Sequence, residues 1–270
     1  MRRPALSLYR PLEGARARIV AFPHAGGGAS AFRGLKAALA PLAIELCALQ
    51  PPGRENRLSE PFHRTAEAAA EEFAEAVLSL PACPTAFLGH SLGGLLAYLT
   101  AQRLEGTRAL PIHLVASASR SPALPRNVHL LRDDDDLTQH LADLGGLPEI
   151  IRAEPSLLEM FETIIRADLN MGETHNPRID TALTCPISVY SGESDRLVPP
   201  SSASAWQSLS RQPLRTRRFP GGHFFLYEAP ALVAEALDSD LGWSRASDPL
   251  LKERETASPS RIRVSSHAHS

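Results

Sequence analysis

The sequence has little cysteine, almost no net charge and no long apolar run. Its 270 residues include 3 cysteines, Cys47, Cys83 and Cys185. The number is odd and the spacings are wide, which gives neither a disulfide framework nor a metal-ligand pair. Buried free thiols in a reducing compartment are expected, and with them a cytoplasmic location. Lys and Arg total 28 against 30 Asp and Glu, a formal net charge of −2. Such a balance removes the electrostatic basis for contact with nucleic acid or an anionic membrane. No stretch reaches the length of a membrane span, and Met1-Arg2-Arg3-Pro4 has no apolar segment behind it to make an export signal. Internal repeats are absent. A glycine-rich turn, Gly26-Gly27-Gly28, lacks both the lysine and Ser/Thr of a phosphate loop and the spacing of a dinucleotide fingerprint. No cofactor or metal is therefore expected. The acidic run from Asp133 to Asp136 is read as the start of a helix, whose N-terminus favours negative charge.

What is present is organised around Phe87-Leu88-Gly89-His90-Ser91-Leu92-Gly93-Gly94. An apolar strand-like run leads in and an apolar, helix-forming run, Leu95 to Leu99, leads out. In that strand–turn–helix context G-x-S-x-G is a nucleophile elbow, and the fold it specifies is an α/β-hydrolase. Ser91 is the expected nucleophile. Gly89 and Gly93 flank it because a Cβ there would clash across the turn. The helix N-terminus beyond Ser91 aims its N–H groups where an oxyanion would form.

The rest of the chain supplies strands and helices in alternation. Strands are expected at Leu6–Tyr9 (a short edge), Ala17–Phe22, Ile44–Leu49, Thr85–Leu88, Ile112–Ser117, Pro186–Ser191 and Leu214–Phe219. Several are nearly continuous in apolar character, as parallel strands buried on both faces are. Ala66, Ala69, Phe73 and Val77 fall on one face of a helix over residues 65–80. Further helices are expected at Ala31–Leu39, after Pro200, and from Ala229 to about Leu241. The glycine turn after Phe22 is suited to the second half of an oxyanion hole, so the Ala25 and Leu92 amides are the candidate donors. Arg54-Glu55-Asn56-Arg57 is read as a solvated ion-pair loop, with ligand contact as the other possibility.

From about residue 120 to 185 the strand signal disappears. Helical segments are expected at Asp135–Leu144 and Pro155–Asn170, and an insertion of this kind suits a lid over the site. Residues 1–244 thus form one mostly parallel α/β sheet domain flanked by helices, with a helical lid. Residues 245–270, rich in Ser, Arg and His, are expected to be disordered.

In this fold the triad follows the chain order Ser, acid, His. Asp195 follows the strand at 187–191, with Glu193 as the weaker candidate acid two residues earlier. Of the 10 histidines, His223 alone follows a late strand in a Gly-Gly turn. His24 and His90 are read as scaffold, since their backbones already belong to the oxyanion loop and the elbow.

Phe22-Pro23-His24-Ala25-Gly26-Gly27, Pro52-Gly53-Arg54-Glu55, Gly89 to Gly94, Ser191 to Asp195 and Pro220 to Phe225, in that order, together resemble the type II thioesterases that accompany polyketide and nonribosomal peptide synthases. Leu144-Gly145-Gly146 and Arg166-Ala167-Asp168-Leu169 add to the likeness, which covers about residues 6 to 240. The run Leu169 to His175 departs from it, because family members usually carry a Phe near the first position and a Tyr near the last. The resemblance implies hydrolysis of acyl thioesters held on the phosphopantetheine arm of acyl or peptidyl carrier proteins, or of small acyl thioesters. Phosphopantetheine would then be part of the substrate. A carboxylic ester hydrolase with the same triad, and an inactive binding module of the same fold, are the competing expectations.

Overall fold

The computed structural model describes residues 5–7, 9–124, 151, 153–175 and 182–247. Seven strands form one sheet: β1 (Leu6–Ser7), β2 (Ala17–Phe22), β3 (Ile44–Leu49), β4 (Thr85–His90), β5 (His113–Ser117), β6 (Ile187–Gly192) and β7 (Arg215–Phe219). Their order is β1-β3-β2-β4-β5-β6-β7. The two-residue β1 runs antiparallel to β3, and the pairings from β3 through to β7 are parallel. The sheet is therefore the α/β-hydrolase arrangement expected from the sequence.

Parallel strands bury both faces, and the alternation of side chains divides the core in two. Val20, Phe22, Cys47, Leu49 and Phe87 point to one face. There they meet α2 (Ala66–Leu78) and α3 (Leu92–Leu104). Ala66, Ala69, Phe73 and Val77 of α2 are all buried on that face, as their spacing predicts. Thr65 caps α2 by accepting the Ala68 N–H. Phe22 packs against both Phe73 and Phe87. Each buried ring of this kind contributes about 1.5–3 kcal/mol. Ile19, Ala21, Leu46, Leu88 and Val115 point to the other face. That side is covered by α1 (Arg33–Leu39), α5 (Phe225–Glu228) and α6 (Pro230–Ser247).

The strands match their expected ranges closely, and the differences lie in the helices. The helix expected at Ala31–Leu39 opens as a 3-10 turn, Ala29–Phe32, before α1. The segment after Pro200 is also 3-10, Pro200–Leu209. The closing helix expected from Ala229 is α6, which starts at Pro230, a residue tolerated at a first helical position, and an additional short helix, α5, precedes it. α6 runs on to Ser247, past the boundary expected at residue 244. Residues 248–270 lie outside the described residues.

Asp240 of α6 is buried among polar partners, a feature the sequence did not signal. Its carboxylate accepts from Ser188 and Tyr190 on β6 and from Arg217 on β7. Burial pushes this carboxyl up, but the hydrogen bonds from Arg217, Ser188 and Tyr190 outweigh it and hold the group below the usual range. The network fixes α6 beneath the two strands whose far ends carry Asp195 and His223.

Candidate active site

Ser91 stands between β4 and α3 with φ 55° and ψ −119°, in a region that side chains other than glycine rarely adopt. Backbone bonds hold it there: Ser91 N–H donates to the Ser117 carbonyl at 2.8 Å, and Gly94 N–H donates to the Ser91 carbonyl at 3.0 Å. A Cβ on Gly89 would collide with the Gly93 carbonyl, and one on Gly93 with the Phe22 carbonyl. The two glycines thus act as their spacing implies. Gly93 also lets the elbow press directly on the end of β2, from which the turn with Ala25 leads off.

β6 and β7 bring the acid and the imidazole together. The turns after these strands are stitched by Glu193 N–H to Phe219 O and Ser194 N–H to Gly221 O, both 2.9 Å. Gly192 is needed here, since a Cβ would meet the Gly222 carbonyl. His223 Nδ1 lies 2.9 Å from Asp195 Oδ2, and both residues are buried. Asp195 Oδ1 accepts the Leu197 and Val198 amides, each at 2.9 Å. Glu193 faces solvent, so Asp195 is the acid that the histidine meets. The His223 ring is 5.5 Å from that of His90, the residue before Ser91, which sets it against the elbow.

Two further imidazoles crowd this centre. His24 Nδ1 lies 2.7 Å from the Tyr227 hydroxyl, and its ring packs edge-on to Phe224. His90 Nδ1 lies 3.0 Å from Ser117 Oγ. Burial, with His223 and then Arg54 nearby, pushes His24 down to about 3. Burial, with His223 and His24, pushes His90 well below its ordinary value. Both stay neutral at neutral pH, as befits scaffold.

These burials have a consequence for acid stability. His90 and His113 are 0% and 1% exposed, and burial takes His113 down to about 4. In the unfolded chain each binds a proton below about pH 6.5, and in the folded protein neither does until far lower. Between those limits the unfolded state holds more protons, so stability falls as pH falls, by roughly 3 kcal/mol per pH unit for the two together. His24 acts in the same direction. The melting temperature is expected to drop steeply from pH 6.5 to 4.5. A flat profile over that window would contradict it.

The loop read as solvated is not. Arg54 and Arg57 are 5% and 2% exposed. Arg57 donates to the Gln50 carbonyl and pairs with Glu60 and Glu72. Arg54 forms a bidentate pair with Asp168, at 2.5 and 2.7 Å. The guanidinium groups turn inward because carboxylates distant in sequence meet them there, leaving Glu55 and Asn56 outside. Gln50 and Glu55 also accept amides of the glycine turn, at Ala29 and Ser30.

Asp168 lies on α4 (Pro155–Thr174), the expected second lid helix, four residues longer than its sequence range. Ile164, Ile165, Asp168 and Met171 are buried, while Leu157 and Met160 at its other end are exposed. Besides its place in the Arg166-Ala167-Asp168-Leu169 motif, a charged residue on a buried helical stripe is the signal by which sequence could have marked Asp168 for a partner. Arg54 was marked only as part of the Pro52-Gly53-Arg54-Glu55 motif, with no sign of its burial. His175, at the departure from the family pattern, is buried beside Glu67 of α2, 2.5 Å away. The helix expected at Asp135–Leu144, the acidic run at 133–136 and the motif at 144–146 lie outside the described residues. Cys47 and Cys185 are buried free thiols and Cys83 is partly exposed. Burial raises Cys47 to about 12 and Cys185 higher still. Among the described residues no helix is long and apolar enough to cross a membrane, and no group of ligating side chains could hold a metal.

A thioesterase-domain family model matches residues 17–241. The chain belongs to the thioesterase family. As a member it is a thioester hydrolase. It is 37% identical over 241 residues to a probable cadicidin biosynthesis thioesterase of Streptomyces griseus, spanning 87% of this chain and 66% of that one. It is 34% identical to the gramicidin S biosynthesis protein GrsT of Aneurinibacillus migulanus, over 84% and 90% of the two chains. Among solved structures, the type II thioesterase BorB from the borrelidin biosynthetic cluster superposes with a TM-score of 0.74 at 29% identity. That match covers 88% of this thioesterase and 96% of BorB.

Proposed function

We propose that this thioesterase frees acyl groups from the phosphopantetheine arm of carrier proteins in a polyketide or nonribosomal peptide synthase, with Ser91, His223 and Asp195 as its triad. The observation that carries the reading is the buried His223–Asp195 hydrogen bond beside a serine held at positive φ, in a chain of this family. His223 Nε2 takes the proton from Ser91 Oγ as the oxygen attacks the thioester carbonyl. Asp195 keeps the imidazole in the accepting tautomer and stabilises its charged form. The tetrahedral oxyanion lies against the Ala25 and Leu92 amides, which donate to no other described residue. Each such donor is worth about 3–4 kcal/mol. Collapse expels the pantetheine sulfur, which takes the proton from His223. Water then gives a proton to His223 and attacks the acyl-serine, and the acid leaves as Ser91 is reprotonated. A thiol with a pKa near ~8.5 leaves without strong acid assistance.

The test compares kcat/KM on an acylated carrier protein with that on a simple alkyl ester of the same acyl group. The carrier substrate is expected to be favoured by about a hundredfold or more, about 2.7 kcal/mol of transition-state stabilisation. Equal or reversed preference would favour a carboxylic ester hydrolase. Absence of labelling by a serine-directed fluorophosphonate would favour an inactive binding module.

A further inference from the structure

The glycine turn that carries Ala25 is not held by its own backbone alone. Gly27 N–H closes it onto the His24 carbonyl at 2.9 Å. Beyond that, Asp168 Oδ2 accepts the Gly26 N–H at 2.8 Å, and Arg54 Nη1 donates to the Gly27 carbonyl at 3.2 Å. The same carboxylate and guanidinium are joined to each other by two hydrogen bonds, with 6% and 5% of the residues exposed. Gly26 has φ 81°, and a Cβ there would run into Ile165 of α4. The turn therefore fits flush under α4, one residue away from the proposed oxyanion donor.

We propose that Arg54 and Asp168 are positioning residues that hold the Ala25–Gly26 turn in its oxyanion-binding shape and tie that shape to the seating of α4. The inference rests on the oxyanion role assigned above to the Ala25 amide. Lifting α4 removes the acceptor of the Gly26 N–H and leaves Arg54 as an uncompensated charge, so the hole is complete only while the lid helix is down. The arrangement also sets a sign. A carboxylate this close to the hole opposes a developing oxyanion, and the Arg54 charge cancels it. Loss of Arg54 is therefore worse than loss of the Asp168 charge. Removing both relieves the opposition.

The experiment is a cycle of Arg54→Gln, Asp168→Asn and the double variant, with Arg54→Lys as the conservative control. Turnover is read on an N-acetylcysteamine thioester, which needs no carrier. Binding is read with a trifluoromethyl ketone bearing the same acyl chain, whose adduct with serine places an oxyanion in the hole. Arg54→Gln is expected to lower kcat roughly a hundredfold with KM changed by less than about threefold, and ketone affinity falls by the same factor. Asp168→Asn, which keeps an acceptor for the Gly26 N–H, loses roughly tenfold, and the double variant is no worse than Arg54→Gln. Arg54→Lys retains the charge and falls between wild type and Arg54→Gln.

Thermal melts accompany each variant. If Arg54→Gln does not fold, Asp168→Asn and Arg54→Lys carry the test. Unchanged kcat in folded variants, or lost kcat with ketone affinity intact, overturns the proposal. A wild-type protein whose Ser91 does not react with the ketone overturns instead the nucleophile assignment on which it rests.

Discussion

Replacing Ser91 with alanine is expected to lower turnover of an acyl thioester by a factor on the order of 10⁶, leaving the protein folded. The size follows from the absence of any other nucleophile in the proposed mechanism. Water would have to attack directly, with only the oxyanion donors to help. The clean background follows from the elbow itself. Alanine keeps the Cβ, so the strain at φ 55° is the same in both proteins. The two hydrogen bonds that hold the residue are made by its backbone N–H and carbonyl, and neither involves Oγ. Stability is expected to stay within about 0.5 kcal/mol of wild type. Single-turnover hydrolysis and fluorophosphonate labelling measure the two halves of the claim. Residual turnover near the wild-type rate would remove Ser91 from its assigned role.

Asp195→Asn has the second largest expected effect, about a 10⁴-fold loss in kcat, and the structure specifies its cause. Asp195 Oδ1 is committed to two backbone amides, from Leu197 and Val198. An asparagine in that pocket must keep its oxygen on those donors. Its NH₂ group is then presented to His223 Nδ1, where the carboxylate oxygen was. The ring is forced into the tautomer with its proton on Nε2, and it cannot accept one from Ser91. KM is expected to change little, and the pH dependence of the residual rate should shift. Glu193→Gln is the control, expected within about twofold of wild type, since that side chain points to solvent. A large loss there with a small loss at Asp195 would exchange the two assignments.

The elbow was legible because its constraints are local. Gly89, Ser91 and Gly93 are each required by atoms within a few residues or by the strand alongside. The same holds for Ala66, Ala69, Phe73 and Val77, which one period of repetition puts on one face. Asp195 and His223 could be placed because each follows a strand by a fixed short turn. Arg54 and Arg57 could not, because partners at Asp168 and Glu72 decide their burial, and sequence alone reads a mixed-charge loop as wet. Asp240 was hidden for the same reason. The short α5 was not marked because four residues are too few to display a helical period.

The parallel order of the sheet has a bearing on how the enzyme comes into being. Ser91 and His223, its proposed base, lie far apart in the chain, and β5 lies between the strand that leads to Ser91 and the one that leads to Asp195. Every parallel pairing from β3 to β7 spans at least one crossover, and the β2–β4 pair spans β3 as well, so the contacts that build the site are long-range and are expected to form late. On the proposed mechanism, a nascent chain that has released only its elbow from the ribosome carries a serine with no base. Hydrolytic competence is then expected with the last docking events of folding, when Asp240 of α6 meets Ser188, Tyr190 and Arg217 on β6 and β7. Partly folded chains are expected to leave thioesters untouched.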